Sequence, residues 1–436
     1  MRIANDIIQM LPTFCGQVIR MISSFVLSKY IAIRYGPAGV ALLGQFINLT
    51  SVLSNFSTGA IDNGVVRNVA VSKGDNERLG QTVSLTLQIV LVLSVVVTIV
   101  ACSLAKVVSR YVFVSDEYEF LVIAMGGSVV VFGPLYWLIA GLNGLGKIRV
   151  LGFLQALIAG GVVAALVAAR ALRYSSLASL LVLQCLSQLP ALLVACWIGH
   201  RSLPKPILPW SKVWPWQEYA LYLRFSLMSL ATAIVIPVTS MLVRRILIGV
   251  CSYQQAGIYE AINRVSNVYL GLLTSMASIY FLPRLSAAKD LRAQAMELRG
   301  VLTSILPLAV GGGVILFIFR DEIFALLFSS EFSVASGLLA LQVIGDTIRI
   351  ASRAAAYYLV AHGSVLQFVL IEVIPGVLRV SLTAMCAGKY GLVGAAIAYI
   401  VASSVSSVML AWFLRPLLAL LLKGRENISD ANGTRC

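Results

Sequence analysis

Apolar stretches long enough to cross a bilayer recur along this chain, separated by short polar breaks. About 20 apolar residues in helical geometry span the hydrocarbon core. The pattern predicts helices near 7–31, 39–62, 80–105, 120–142, 148–170, 176–198, 221–248, 256–282, 300–319, 332–361, 365–387 and 391–414. Thr82 to Ala105 carries no charge and is rich in Leu and Val, which suits a helix facing lipid. YGPAG at 35–39 reads as a tight turn between the first two spans.

Several spans are not uniformly apolar. Glu260, Arg264, Asn267, Gly271, Thr274 and Ser278 fall three or four residues apart, on one face of one helix. The first span repeats the device with Thr13, Gln17, Arg20, Ser24 and Ser28. The second has Gln45, Asn48, Asn55, Gly59 and Asp62. Gln342, Asp346, Arg349 and Arg353 mark the tenth, and Glu372, Pro375 and Arg379 the eleventh. Arg244 and Arg245 lie towards the outer end of the seventh, where they either line the interior or snorkel to the interface.

A break of different character separates spans six and seven. HRSLPKPILPWSKVWPWQEY, 200–219, holds four prolines and three tryptophans and reads as a linker at the membrane interface. It divides the chain into an N-terminal lobe at 1–199, the linker at 200–219, a C-terminal lobe at 220–422 and a tail at 423–436. Weak matches link the halves at a nearly constant offset. AGV at 38–40 returns as AGI at 256–258, FVSDEY at 113–118 as FSSEF at 328–332, and the Gly146 region as that of Gly363. Arg173-Tyr174 matches Lys389-Tyr390, and Trp197 matches Trp412. Duplication of an even number of spans gives two halves of the same orientation, related by an axis along the membrane normal. The expectation is an all-α polytopic membrane protein. Its roughly twelve helices would form two pseudo-symmetric six-helix lobes around a central cavity.

Composition agrees with the pattern. Of 436 residues, 59% are hydrophobic and 12% charged, with a mean hydropathy of +0.92. A net charge of +15 would suggest nucleic acid in a soluble protein. Here it reads as charge on cytoplasmic loops, with no nucleic-acid partner. With the N-terminus inside, 18 Lys and Arg fall at inner positions and 8 at outer ones. That bias places both termini in the cytoplasm. The first apolar run holds Gln17 and Arg20 and lacks a small-residue cleavage site, so it is expected to remain a spanning helix. Cysteines in apolar segments read as core residues, and two distant histidines predict no metal site and no cofactor. A Walker A loop and a nucleophile elbow are both missing, so the chain reads as no enzyme. The sequons at 427–429 and 432–434 fall in a tail assigned to the cytoplasm and are read as chance.

The polar stripes carry the candidate chemistry. An Arg at a helix centre costs about 2.5–3.5 kcal/mol on insertion scales, so these faces must meet neighbours or water. Local pairing of Glu260 with Arg264, Asp346 with Arg349 and Glu372 with Arg379 is the simpler account. It leaves an excess of arginine, because the spans hold Arg20, Arg244, Arg245, Arg264, Arg349, Arg353 and Arg379 against those three acids. Guanidinium forks match phosphate oxygens and stay charged, which suits an anionic ligand.

The chain resembles the bacterial polysaccharide flippases of the multidrug/oligosaccharidyl-lipid/polysaccharide exporter superfamily, and within them the Wzx group of O-antigen and enterobacterial common antigen translocases. The resemblance covers the whole chain. It rests on YGPAG at 35–39, RFSLMSLATAIVIPVTSMLVRR at 224–245, AGIYEAINRVSNVYL at 256–270, FLPRLS at 281–286 and LQVIGDTIRIASRAAAYYLVAHG at 341–363. It implies alternating access in the inner membrane and a substrate of short oligosaccharide on undecaprenyl pyrophosphate. On that basis Arg20, Arg264, Arg349, Arg353 and Arg379 would meet the pyrophosphate, and Asn48, Asn55 and Asn267 the sugar. Glu260, Asp346 and Glu372 are candidates to couple transport to a proton or Na⁺. Expected partners are membrane lipids and the polymerase and chain-length proteins of the same pathway. The rivals are a multidrug exporter of the same superfamily, a sugar permease, a membrane glycan polymerase or ligase, and a non-transporting scaffold. Excess arginine opposes cationic drugs. The sugar permease lacks its basic loop signature between spans two and three, and no external loop is long enough for the enzyme.

Overall fold

The computed structural model describes residues 2–172, 176–203, 216–288 and 290–420. The Arg173-Tyr174 match, most of the interfacial linker and the tail lie outside them. The described residues form helices and no strands. The order is α1 (Arg2–Thr58), α2 (Asp62–Val71), α3 (Asn76–Ser103), α4 (Ala105–Val108), α5 (Glu119–Gly144), α6 (Ile148–Ala171), α7 (Leu177–Leu186), α8 (Leu189–Ser202) and α9 (Trp216–Val250). Then come α10 (Tyr253–Ala287), α11 (Leu291–Ile318), α12 (Arg320–Leu327), α13 (Ser333–Ala361) and α14 (Val365–Phe413).

Among the described residues, nine helical segments are long and apolar enough to cross a membrane. Two of them hold two sequence spans each. The helical run of α1 is interrupted at Gly36 (φ 63°), inside the expected turn, and that of α14 at Gly391 (φ 55°). Glycine suits both positions because a Cβ disfavours the left-handed region. At 35 residues α10 is also long enough to span, although it is not among the nine. The second span ends earlier than the sequence suggests. Helix α1 stops at Thr58, the chain passes through Gly59 and Ala60 at positive φ, and Asp62 opens α2.

The chain divides into two compact units, Met1–Met241 and Leu242–Cys436. The division falls inside α9, and side-chain hydrogen bonds accompany it. Gln45 Nε2 on α1 donates to Val112 O (2.9 Å) and Met241 O (3.3 Å), and Asn63 Nδ2 donates to Ser229 Oγ (3.2 Å). These bonds hold the first part of α9 to the N-terminal unit.

In the N-terminal unit α1 packs along α6, and α5 is surrounded by α1, α2, α3 and α8. Lipid offers no hydrophobic drive between helices, so close packing and interhelical hydrogen bonds must supply it. A Cβ on Gly16 would sit 2.6 Å from the Gly152 carbonyl oxygen, which shows how closely α1 and α6 approach. Trp137 Nε1 donates to Thr86 Oγ1 (2.9 Å), tying α5 to α3 in an otherwise apolar interior. In the C-terminal unit α13 is central, packed on α10, α11 and α14. Leu270, Leu273, Ile305 and Ile350 form one apolar cluster there, and Leu298, Leu359, Ile371 and Leu410 another.

Local structure supports the internal duplication. After α5, Gly146 (φ 74°) donates to Asn143 O, Lys147 to Leu142 O and Ile148 to Gly146 O. After α13, Gly363 (φ 65°) donates to Val360 O, Ser364 to Leu359 O and Val365 to Gly363 O. The turn is the same bond for bond. The FVSDEY and FSSEF matches both form a single 3₁₀ turn, with tilted aromatic pairs at 5.3 Å (Phe113–Tyr118) and 5.0 Å (Phe328–Phe332).

The α1–α6 contact sets a prediction. Gly16→Ala should lower stability by about 1–3 kcal/mol, because the methyl meets backbone that cannot move aside. Gly127→Ala, where the new Cβ meets nothing within 4 Å, should not. Thermal unfolding of the detergent-solubilised variants tests the pair.

Candidate functional site

Charged residues of the stripes gather inside the C-terminal unit in two networks. Glu260 on α10 is the hub of the first. Its Oε2 accepts from Arg244 Nη2 on α9, and its Oε1 accepts from Arg264 Nε at 3.3 Å, one helical turn away. Arg244 is 3% exposed, so it turns into the protein and does not snorkel. Helix α10 allows this because positions four apart share a face, and buried Tyr259 and Ile262 seal its flanks. One carboxylate between two guanidiniums leaves a net positive charge.

Asp346 on α13 is the hub of the second. It is 1% exposed. Ser266 Oγ donates to its Oδ2 at 2.6 Å, Tyr399 OH to its Oδ1 at 2.7 Å, and Gln342 Nε2 to its Oδ1 at 3.3 Å. All of these donors are neutral, so the pairing of Asp346 with Arg349 suggested by their i,i+3 spacing is not how the carboxylate is held. The ring of Tyr399 can reach it because residue 345 is glycine. A Cβ there would lie 2.6 Å from the Tyr399 ring carbons.

Tyr399 also organises the cations. The Arg379 guanidinium lies 4.6 Å from its ring centroid and that of Arg349 5.7 Å. Both distances are within cation–π range. Arg379 is 7% exposed. It donates to Tyr259 OH at 2.8 Å and Asn263 Oδ1 at 3.5 Å, while its Nε is buried without a partner. It is held by neutral groups in place of Glu372, the acid two turns before it. Glu372 instead acts electrostatically on Arg349 and Arg353. A buried guanidinium among neutral groups is costly, and an arriving anion would offset that cost.

The structure thus brings Arg349, Arg353, Arg379, Asp346 and Glu372 into one neighbourhood, and Arg264 with Glu260 into another on the same unit. Asn267 is exposed on α10. Arg20, Asn48 and Asn55 belong to the N-terminal unit. Arg20 is exposed, and Asn55 donates to Ser51 O at 2.7 Å within its own helix. Sequence reasoning missed Tyr399, Tyr259, Asn263 and Ser266 as partners, while Gln342 lay in the stripe it had marked. Tyr399 stands alone in a run of small apolar residues, and only tertiary contact gives it a role.

The N-terminal unit has no comparable charged network among its described residues. It does hold buried acceptors that the described chain leaves unpartnered: Asp62 Oδ1, Gln155 Oε1 and Gln188 Oε1. Each such group costs about 1–3 kcal/mol.

Comparison with known proteins now has a geometry to meet. Residues 10–289 match the family described as "Polysaccharide biosynthesis protein". The chain belongs to that family. Over 396 residues it is 27% identical to the lipid III flippase of Escherichia coli (strain K12), covering 89% of this chain and 92% of the relative. Its fold is that of transporters of the MOP superfamily. An inward-facing multidrug resistance MATE transporter superimposes with a TM-score of 0.81 at 14% identity, covering 94% of this chain and 98% of the other. The lipid II flippase MurJ in an inward closed conformation gives 0.71 at 13% identity, covering 99% and 93%. As a member of the polysaccharide biosynthesis family with this fold, the chain is a multi-pass membrane protein.

In this family member Glu260→Gln would remove the carboxylate that Arg244 and Arg264 share. We expect a loss of about 3–5 kcal/mol, the usual result of breaking a buried pair from one side. Adding Arg264→Gln should recover part of it. A double-mutant cycle of unfolding free energies measures the coupling.

Proposed function

We propose that this protein is a flippase that moves undecaprenyl-pyrophosphate-linked oligosaccharide, an O-antigen or related repeat unit, from the inner to the outer face of the bacterial inner membrane by alternating access. The observation that carries the proposal is the arginine cluster of the C-terminal unit, in which Arg379 is buried among neutral partners. A diphosphate brings negative charge and acceptor oxygens to such a site, and arginine forks fit them. Support also comes from the family and from the lipid III flippase to which the chain is similar along most of its length. Arg264, Arg349, Arg353 and Arg379 of the C-terminal unit take the headgroup, and Asn267 on the same unit meets sugar. In the N-terminal unit Arg20 is a further candidate for the headgroup, and Asn48 and Asn55 for sugar, while the polyprenyl tail stays in lipid.

The chain acts as a carrier and not as an enzyme. Both termini face the cytoplasm, as the Lys and Arg bias requires. The polymerase and chain-length proteins of the same pathway receive its product. Of the three acids, Asp346 is the strongest coupling candidate, because its carboxylate is bound by neutral groups that a proton or Na⁺ would not have to displace. Glu260 is committed to two guanidiniums, and Glu372 faces Arg349 and Arg353.

The multidrug exporter remains the second reading, since the MATE transporter shares the fold. Excess positive charge in the C-terminal unit opposes it, because cationic drugs would be repelled.

A strain lacking this protein decides between them. We expect loss of a surface polysaccharide, with the lipid-linked oligosaccharide accumulating on the cytoplasmic side. Arg379→Gln or Arg353→Gln should fail to restore the polymer while the protein remains at normal level. Normal glycan with altered drug resistance would overturn the proposal in favour of an exporter.

Asp346→Asn keeps the shape of the network and removes its charge. Transport measured in vesicles should fall at least about tenfold, with the variant still folded. Unchanged transport would remove Asp346 from coupling.

A further inference from the structure

In the C-terminal unit one side chain joins the buried acid to the arginines. Tyr399 is 2% exposed. Its hydroxyl donates to Asp346 Oδ1 at 2.7 Å. Arg379 Cζ lies 4.6 Å from its ring centroid and Arg349 Cζ 5.7 Å. The groups come from three parts of the chain. Asp346 and Arg349 are on α13, Arg379 precedes the break of α14 at Gly391, and Tyr399 follows it.

The joint needs close approach and has it. Gly345 lies inside α13, where glycine is a poor helix former. A Cβ there would sit 2.6 Å from two ring carbons of Tyr399, so the bare backbone is what admits the ring beside Asp346. The joint is also selective. Asp346 accepts from Ser266 Oγ at 2.6 Å, from Gln342 Nε2 at 3.3 Å and from Tyr399, all neutral donors. Among the described residues, Tyr399 is the one donor of the three that also carries a guanidinium on its ring. No ion pair reaches Arg349 or Arg379 among the described residues. Arg264 is paired with Glu260, and α11 brings no charged side chain across 301–319. The charge of Asp346 therefore acts on Arg349 and Arg379 through space and through this phenol.

We propose that Tyr399 is a positioning residue for transport: it passes the charge state of Asp346 to Arg349 and Arg379, so that neutralising the acid raises their affinity for the substrate's diphosphate. The assignment rests on the flippase reading above and adds how the acid is joined to the anion site. A phenol that donates to a carboxylate is polarised, and hydrogen-bonded groups in a low dielectric polarise one another. The ring face becomes more negative and holds a guanidinium more firmly. An arriving diphosphate must share Arg349 and Arg379 with that face. Once a proton or cation neutralises Asp346, the ring relaxes its hold and both guanidiniums offer more of their charge to the anion. By linkage, a bound diphosphate favours the neutral acid in turn.

The test measures binding of undecaprenyl pyrophosphate to the purified full-length protein in nanodiscs, with Asp346→Asn as the permanently neutral acid. In the wild-type background Asp346→Asn should tighten binding about tenfold. In the Tyr399→Phe background, with the ring kept and the hydroxyl gone, the same substitution should change binding by less than about twofold. Ser266→Ala is the control, because Ser266 gives the same carboxylate a bond of similar length and has no arginine among its partners. There Asp346→Asn should again act about tenfold. A purely structural Tyr399 would alter stability and leave these ratios alone. Equal tightening in Tyr399→Phe and wild type would overturn the proposal, since the acid would then act through space. Loss of the tightening in Ser266→Ala, or its absence in wild type, would overturn it too. Failure of wild type to bind the lipid at all would instead overturn the flippase reading, and this assignment with it. Thermal unfolding completes the test. A melting temperature of Tyr399→Phe many degrees below that of Ser266→Ala would show that the hydroxyl serves the fold, and would also overturn the proposal.

Discussion

Everything polar in this chain answers to one constraint: a guanidinium cannot be left in hydrocarbon. The arginines of α9, α10, α13 and α14 lie in spanning helices, so each must turn inward and find a partner. Glu260 partners two of them. Tyr399 receives two more on its ring, while its hydroxyl is tied to Asp346. The geometry of α13 against α14, down to the missing side chain at Gly345, follows from that arrangement.

The same constraint separates stabilising from functional charge. A carboxylate that bridges two guanidiniums neutralises part of their charge and fixes α9 to α10. A guanidinium held by phenols and an amide keeps its whole charge and leaves one donor unmet. The first arrangement builds a unit, and the second is what the proposed function uses to receive an anion. Both use arginine, and only their partners tell them apart.

Internal duplication shows in the backbone more clearly than in the side chains. The turns at Gly146 and Gly363 use the same hydrogen bonds, and the 3₁₀ turns after Phe113 and Phe328 carry the same tilted aromatic pair. The two units nevertheless present different chemistry. Arginine networks fill one, and the other holds neutral amides and an aspartate. A common helical frame has been loaded with unlike side chains.

Sequence alone determined the helices, because about 20 apolar residues without hydrogen-bonding alternatives admit only a spanning helix in lipid. It also determined the polar stripes, because residues three and four apart must share a helical face. The turns at Gly36 and Gly391, the helical class and the family were legible for the same local reason. Partner choice was not. Spacing offered Asp346 to Arg349 and Glu372 to Arg379, yet Asp346 took Tyr399 and Ser266, and Arg379 took Tyr259. These partners come from other helices, far away in sequence, and they meet only when α10, α13 and α14 pack. The break after Thr58 was hidden too, since Gly59 and Ala60 fit a helix as readily as a turn. Hydrogen bonds from Gln45 and Asn63 join α9 to α1 and α2 over long sequence separations. Such long-range choices depend on distances of a few ångströms between packed helices, and the tertiary structure alone supplies them.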